Sequence, residues 1–179
     1  MSGTTSVHPD PLPEAKGTPA QRFLGALERS GFDFFCGVPC SLLTGVIRLL
    51  DGEPRYGYVS AVKEDAAVGM AAGAYFGGAQ PVVFMQNSGL GTSFNALASL
   101  ALMYELPVLL VVSWRGQGGE DAPEHILMGQ ITGTVLDTLG VPSQVLEAAR
   151  IDEQVAWAAA QLAAAHKPVA LVVPKGILE

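Results

Sequence analysis

The chain reads as an α/β protein, a doubly wound three-layer sandwich with a mainly parallel sheet of about six strands. Three features point there. Apolar runs such as Pro81 to Gln86 and Pro107 to Ser113 are continuous rather than alternating, as in strands covered on both faces. Helical stretches separate these runs, the alternation that yields crossover-connected parallel strands. The strand-to-helix junctions are unusually rich in glycine and polar residues, where such sheets carry their ligands.

The first seventeen residues, MSGTTSVHPDPLPEAKG, show no apolar periodicity and read as a flexible tail, leaving residues 18–179 as a single domain. Thr18, Pro19 and Gln21 supply an N-cap, a first-turn proline and a capping-box partner for a helix that buries Phe23, Leu24 and Leu27 and stops at Gly31. Strands are expected at Phe32 to Gly37, Tyr56 to Ala61, Pro81 to Gln86, Pro107 to Ser113, Ser143 to Leu146 and Pro168 to Val173. The intervening helices are expected near Ser41 to Leu50, Glu64 to Phe76, Ser93 to Tyr104, His125 to Leu139 and Asp152 to His166.

With 179 residues, 49% of them hydrophobic and 15% charged, the chain can bury a large core. A formal net charge of -7 argues against nucleic acid or an anionic membrane as partner, since both require a basic surface. A small ligand is the better expectation. No apolar run approaches the roughly 20 residues that cross a bilayer, and the N-terminus lacks a signal peptide's basic and apolar regions, so a cytoplasmic location is expected. Cys36 and Cys40 have no second pair with which to build a metal site and are read as reduced thiols.

Four junctions stand out: GVPCS at 37–41, VKED at 62–65, QNSGLGTSFN at 86–95 and SWRGQGGEDAPEH at 113–125. In the second, Glu64 opens a helix of small residues directly after a strand, a position suited either to a proton donor held in an apolar pocket or to a carboxylate favoured by the helix dipole. In the third, Gly89 and Gly91 suit a phosphate cradle or a tight turn, but no lysine follows to complete a Walker loop and a dinucleotide fingerprint lacks its third glycine. Asp65 lies about 100° around the helix from Glu64 and is assigned to capping. Lys63 is read as solvated, and Gly69, Gly73 and Gly77 form a flat stripe where another helix or the sheet can approach.

The segments GVPCSLLT, KEDAAVGMAAGAYFGG, MQNSGLG and SWRGQGGEDAPEHILMG resemble the pyrimidine-binding domain of thiamine diphosphate-dependent decarboxylases. Within it they resemble the phosphonopyruvate enzymes most closely and the sulfopyruvate α chains next. The resemblance runs from about Ala20 to the C-terminus. It implies that Glu64 hydrogen-bonds ring nitrogen N1' of the coenzyme's aminopyrimidine and protonates it, favouring the imino tautomer that activates the coenzyme as an electron sink for decarboxylation. An apolar pocket would raise that carboxyl's pKa and make it a competent donor near neutrality.

The same resemblance implies coenzyme contacts from Pro39, Asn87, Ser88, Gly89 and Asn95, although Asn and Ser in turns also serve their own backbone. His125 would orient the substrate or relay a proton, against the plain alternative of a helix-opening residue. Arg115 would grip phosphonate or carboxylate oxygens with its planar fork, unless it fixes its own loop through Glu120, Asp121 or Glu124. Cys40 and Ser41 would donate to the same anion, and Trp114 would wall the pocket or anchor the loop. His8 and His166 have no catalytic claim.

Members of this family hold the diphosphate through a divalent metal marked by Gly-Asp-Gly, which this sequence lacks. The resemblance therefore implies thiamine diphosphate as cofactor, Mg²⁺ held by a partner β subunit, no metal ligand in this chain, and a heteromer of α2β2 or larger. The implied reaction converts 3-phosphonopyruvate to phosphonoacetaldehyde and CO2 in phosphonate biosynthesis. The alternatives are a sulfopyruvate decarboxylase α subunit and, in a different class, a non-catalytic flavodoxin-like nucleotide-binding or regulatory module using the Gly89 loop.

Overall fold

A computed structural model describes residues 17–179. The expected tail, apart from Gly17, and His8 within it lie outside the described residues.

Six strands form one sheet: β1 (Phe34–Gly37), β2 (Val59–Ser60), β3 (Pro81–Gln86), β4 (Leu109–Ser113), β5 (Ser143–Val145) and β6 (Val169–Val173). Their order is β2-β1-β3-β4-β6-β5, and every pairing is parallel. The helices are α1 (Pro19–Arg29), α2 (Thr44–Gly52), α3 (Glu64–Phe76), α4 (Asn87–Thr92), α5 (Phe94–Ala96), α6 (Pro123–Leu139) and α7 (Ile151–Ala165).

The two faces of the sheet are buried separately, as the continuous apolar runs require. On one side α1, α2 and α7 cover Phe35, Phe84, Val111 and Leu171 through Phe23, Leu27, Val46, Val155 and Leu162. On the other, Val83, Met85, Leu110 and Val172 meet the small side chains of Ala67, Ala71 and Ala72 on α3, together with Leu90, Leu97 and Leu136. Alternate residues of one strand thus serve opposite layers, and the central strands β3 and β4 carry most of the burial.

Local signals account for several boundaries. Thr18 caps α1 as the sequence predicts: its hydroxyl accepts from Gln21 N at 3.2 Å and its own N–H donates to Gln21 Oε1 at 2.9 Å. The start of α2 is satisfied from a distance, Gly45 N donating to Leu178 O at 2.9 Å. A Cβ on Gly45 would lie 2.7 Å from Glu179 O, so the C-terminal segment rests against bare helix backbone there.

Four expectations need correction. β2 has two residues instead of six, because it is an exposed edge with a turn at Pro54–Tyr56 and left-handed Gly57 (φ 55°) before it. Edge strand β5 is likewise largely exposed and not covered on both faces. The helix expected from Ser93 starts at Asn87 and, after α5, continues as a π-type segment over Leu97–Leu102. Gly69 and Gly73 do not pack on the sheet; both face outward, with open space where a Cβ would be.

Replacing Thr18 with Ala removes the cap, and urea unfolding is expected to report a loss of about 1 kcal/mol. An unchanged midpoint would mean that α1 gains nothing from its first turn.

Candidate functional site

All the parallel strands point their carboxyl ends the same way, so the junctions of interest gather along one edge of the sheet. The chain leaves β1 for β2 on one side, and β3 lies on the other, so β1 and β3 diverge at a topological switch point, the usual place for a ligand in this architecture. The register sets Gln86 at the end of β3 level with Ser113 at the end of β4 and Val173 at the end of β6.

Polar groups join these strand ends. Ser113 Oγ donates to Cys40 Sγ at 3.1 Å, Cys40 Sγ contacts Gln86 Oε1 at 3.7 Å, and Gln86 Nε2 donates to Ser88 Oγ at 2.6 Å. Cys40 and Ser88 are half-buried, whereas Pro39 and Ser41 are exposed on the same rim. Gln86 and Ser113 were not singled out from sequence, although each is a lone polar residue closing a buried apolar strand, a signal that such strand ends carry.

Glu64 is the first residue of α3, half-buried, and its carboxylate has no hydrogen-bond or ion-pair partner among the described residues. It lies against Gly89. A Cβ built on Gly89 would run into Glu64 Cγ and lie 2.5 Å from both Cδ and Oε1. Gly89 is therefore neither a turn glycine nor the lip of a phosphate cradle: it is helical and buried within α4, and it faces a carboxylate that would repel a phosphate. Asp65 turns away, accepting from Ala66 N at 2.8 Å, and Lys63 Nζ approaches it at 3.6 Å.

The loop after β4 is held by Asp121. Arg115 donates to its two oxygens from Nε and Nη2, both at 2.7 Å, and Gly116 N adds a bond at 2.9 Å. The loop-fixing alternative for Arg115 is thus the arrangement observed, and the planar fork is occupied; Nη1 reaches outward, 3.5 Å from Ser41 Oγ. These contacts hold the Asp121 carboxyl well below the usual carboxylate range, Arg115 being the larger cause and the Gly116 N–H the next, and they raise Arg115 in turn. Behind the ion pair the loop lies backbone to backbone on α6: Gly116 (φ 72°) leaves no room for a Cβ beside His125 O, nor Gly129 beside Gly116. Trp114 anchors the loop, its indole N–H donating to Gly129 O at 2.8 Å.

A cavity of about 490 Å³ opens beside this loop, lined by Ser41, Trp114, Arg115, Glu120, Asp121, Lys175 and Glu179 among others. Lys175, just beyond β6, went unnoticed in the sequence because nothing there links it to the β4 loop. Glu64 and His125 do not line this cavity. His125 lies in the first turn of α6, half-buried, with no side-chain hydrogen bond among the described residues.

Asn87 is fully buried. Its amide donates to Arg115 O at 2.8 Å and Thr132 Oγ1 at 3.0 Å, tying α4 to the β4 loop and α6, while its Oδ1 has no partner among the described residues. Its amide nitrogen thus braces the site. Asn95 is exposed and accepts from Ser99 Oγ at 3.1 Å. No cluster of three or more His, Cys, Asp and Glu among the described residues is arranged to hold a metal ion. No helix among them is long and apolar enough to cross a membrane.

The family described as "Thiamine pyrophosphate enzyme, N-terminal TPP binding domain" matches residues 18–140. The chain belongs to this family. Two relatives carry the comparison further. Phosphonopyruvate decarboxylase of Streptomyces viridochromogenes is 35% identical over 162 residues, covering 89% of this chain and 41% of the relative. Sulfopyruvate decarboxylase subunit alpha of Methanocaldococcus jannaschii is 39% identical over 118 residues, 66% of this chain and 70% of the relative. The chain thus spans about two fifths of the Streptomyces protein and most of the methanogen one. Among solved structures, a thiamine diphosphate-dependent 4-hydroxybenzoylformate decarboxylase of Rhodococcus jostii RHA1 superposes with a TM-score of 0.72 at 21% identity, over 88% of this chain and 30% of that one, a likeness of fold.

As a thiamine pyrophosphate enzyme domain, the chain has a site whose features fit the aminopyrimidine end of that cofactor. The Glu64 carboxylate, without a partner among the described residues, fills the space that the missing Cβ of Gly89 leaves, and is a polar group free to meet a ring nitrogen.

Two measurements follow. In Asp121→Asn the loop loses its ion pair. A carboxyl depressed in the folded state stabilises it above the unfolded value of about 3.9 and gives that up as pH falls toward the folded value. The stability gap between wild type and variant should therefore stay constant from neutrality down to about pH 5 and close in stronger acid. A gap undiminished at about pH 2 would rule out the ion pair as its source. For the thiols, burial pushes Cys36 up to about 12, while Cys40 is half-buried. An aromatic disulfide reagent is expected to modify Cys40 in the native chain and Cys36 only after unfolding, as peptide mapping would show.

Proposed function

We propose that this chain is the α subunit of a thiamine diphosphate-dependent 2-keto acid decarboxylase that converts 3-phosphonopyruvate to phosphonoacetaldehyde and CO2. The observation that carries the reading is the Glu64 carboxylate, unpartnered among the described residues and resting on the bare backbone face at Gly89. Bound thiamine diphosphate supplies the electron sink into which the carboxylate's electrons pass as CO2 departs. Glu64 holds a proton at N1' of the aminopyrimidine. Cys40 and Ser41 line the approach of the substrate anion, joined by the remaining Arg115 N–H groups and by Lys175. His125 serves proton transfer from the first turn of α6.

A β subunit carrying the diphosphate and Mg²⁺ site completes the enzyme, in an α2β2 or larger assembly with the active site between chains, acting in the cytoplasm. Three observations support a partner. The methanogen relative is named as a subunit alpha, and the Streptomyces relative extends well beyond the matched region. Val62 (89% exposed), Phe76 (69%), Leu127 (65%), Met103 (60%) and Tyr104 (59%), in or beside the layer containing α3, α5 and α6, stand in the open as apolar side chains that a partner can cover.

Sulfopyruvate is the second substrate reading, favoured by the higher identity to the methanogen α subunit and by its similar length. The phosphonate is preferred because the Streptomyces match covers more of this chain. Competition between the two keto acids in the reconstituted complex separates them. Glu64→Gln keeps shape and removes the acid; decarboxylation by the complex is expected to fall about a hundredfold or more while the complex still assembles. Undiminished turnover would defeat the assignment.

A further inference from the structure

The glycine in the third junction has a second neighbour besides any ligand. Gly89 sits inside α4 with ordinary helical backbone, so no left-handed conformation demands glycine there. Inside a helix glycine is less favourable than alanine, so a glycine at such a position calls for a reason outside the backbone. The reason is visible across the helix pair. The space where a Cβ would go is filled by Glu64: the added atom would run into Cγ and sit 2.5 Å from Cδ and from Oε1, far inside any real contact. Gly91, two residues on, makes the contrast: a Cβ there would meet only Met128 Cε at 3.5 Å, an ordinary distance.

We infer that Gly89 is the positioning residue for Glu64, its missing side chain being the groove that fixes where the carboxylate lies. This rests on the proposed role of Glu64 and assigns Gly89 an action through that side chain in place of a contact with the coenzyme's phosphates. The groove constrains the side chain from one flank only. Glu64 has no hydrogen bond to hold it among the described residues, so packing against α4 is the restraint the chain itself supplies. Because Glu64 is half-exposed and flexible, it can escape a new methyl group by rotating toward solvent. Gly89→Ala is therefore expected to fold with its thermal midpoint unchanged or raised, and to displace the carboxylate.

The test uses the full chain and its complex with the β subunit. Gly89→Ala should weaken thiamine diphosphate binding measured by calorimetry, slow exchange of the bound coenzyme's C2 hydrogen for deuterium, and lower kcat about a hundredfold with little change in substrate KM. Gly91→Ala should leave all three as in wild type. If Gly89→Ala instead lowers the thermal midpoint, Glu64→Ala in the same chain should restore it, since removing Cγ and Cδ removes the conflict. The inference is overturned if Gly89→Ala retains coenzyme affinity, exchange and turnover, or if its instability persists with Ala at position 64. Failure of the functional reading looks different: there Glu64→Gln keeps full turnover, whereas any stability cost of Gly89→Ala is still relieved by Ala at position 64.

Discussion

Everything at the candidate site depends on a parallel sheet that is buried on both faces. Because β3 and β4 run in register from Val82 and Leu109 to Gln86 and Ser113, their polar ends emerge at one level. The side chains that follow, Ser88 and Arg115, are delivered to the same rim. Parallel pairing obliges each connection to cross a face of the sheet, so α3 and α4 must lie side by side in one layer. The meeting of Glu64 and Gly89 is a product of that obligation. Two residues far apart in sequence are adjacent because each sits at or near the start of a crossover helix, after β2 and β3 respectively.

Charge at the site is arranged with economy. An acidic chain expected to take an anionic substrate has to concentrate positive groups locally, and Arg115 looked like the residue for it. The structure commits that fork to Asp121, which turns a potential binding group into a support for the loop. What lines the cavity beside that pair is Lys175, with the acidic Glu120 and Glu179, while Arg115 keeps the N–H groups of Nη1 and the second of Nη2 beyond its two bonds to Asp121.

Much of the fold could be read from the chain because local and global preferences agree. Thr18 and Gln21 announce a helix start that the hydrogen bonds reproduce, and the bounds expected for Glu64 to Phe76 and Pro81 to Gln86 are those observed. The segment Asn87 to Thr92 was illegible for a physical reason: its Asn, Ser and two Gly favour turns, and it is helical because Leu90 is buried and α3 and α6 pack against it. Strand β2 was overestimated because an edge needs few paired residues to hold it. At the site, Glu64 was legible from its junction, but the choice of Asp121 over Glu120 or Glu124 as partner of Arg115 follows from the turn geometry at Gly116, which spacing does not reveal. Asn87 was visible as a polar residue at a strand end; that it faces inward toward Thr132 was not.

The contact of Gly116 with Gly129 has a mechanical meaning. Where two backbones touch without side chains between them, there is nothing compressible to absorb a shift, so the β4 loop and the first turns of α6 move as one stiff lever. Arg115 and His125 stand on the two sides of that contact, so the loop cannot shift without carrying the first turns of α6 with it.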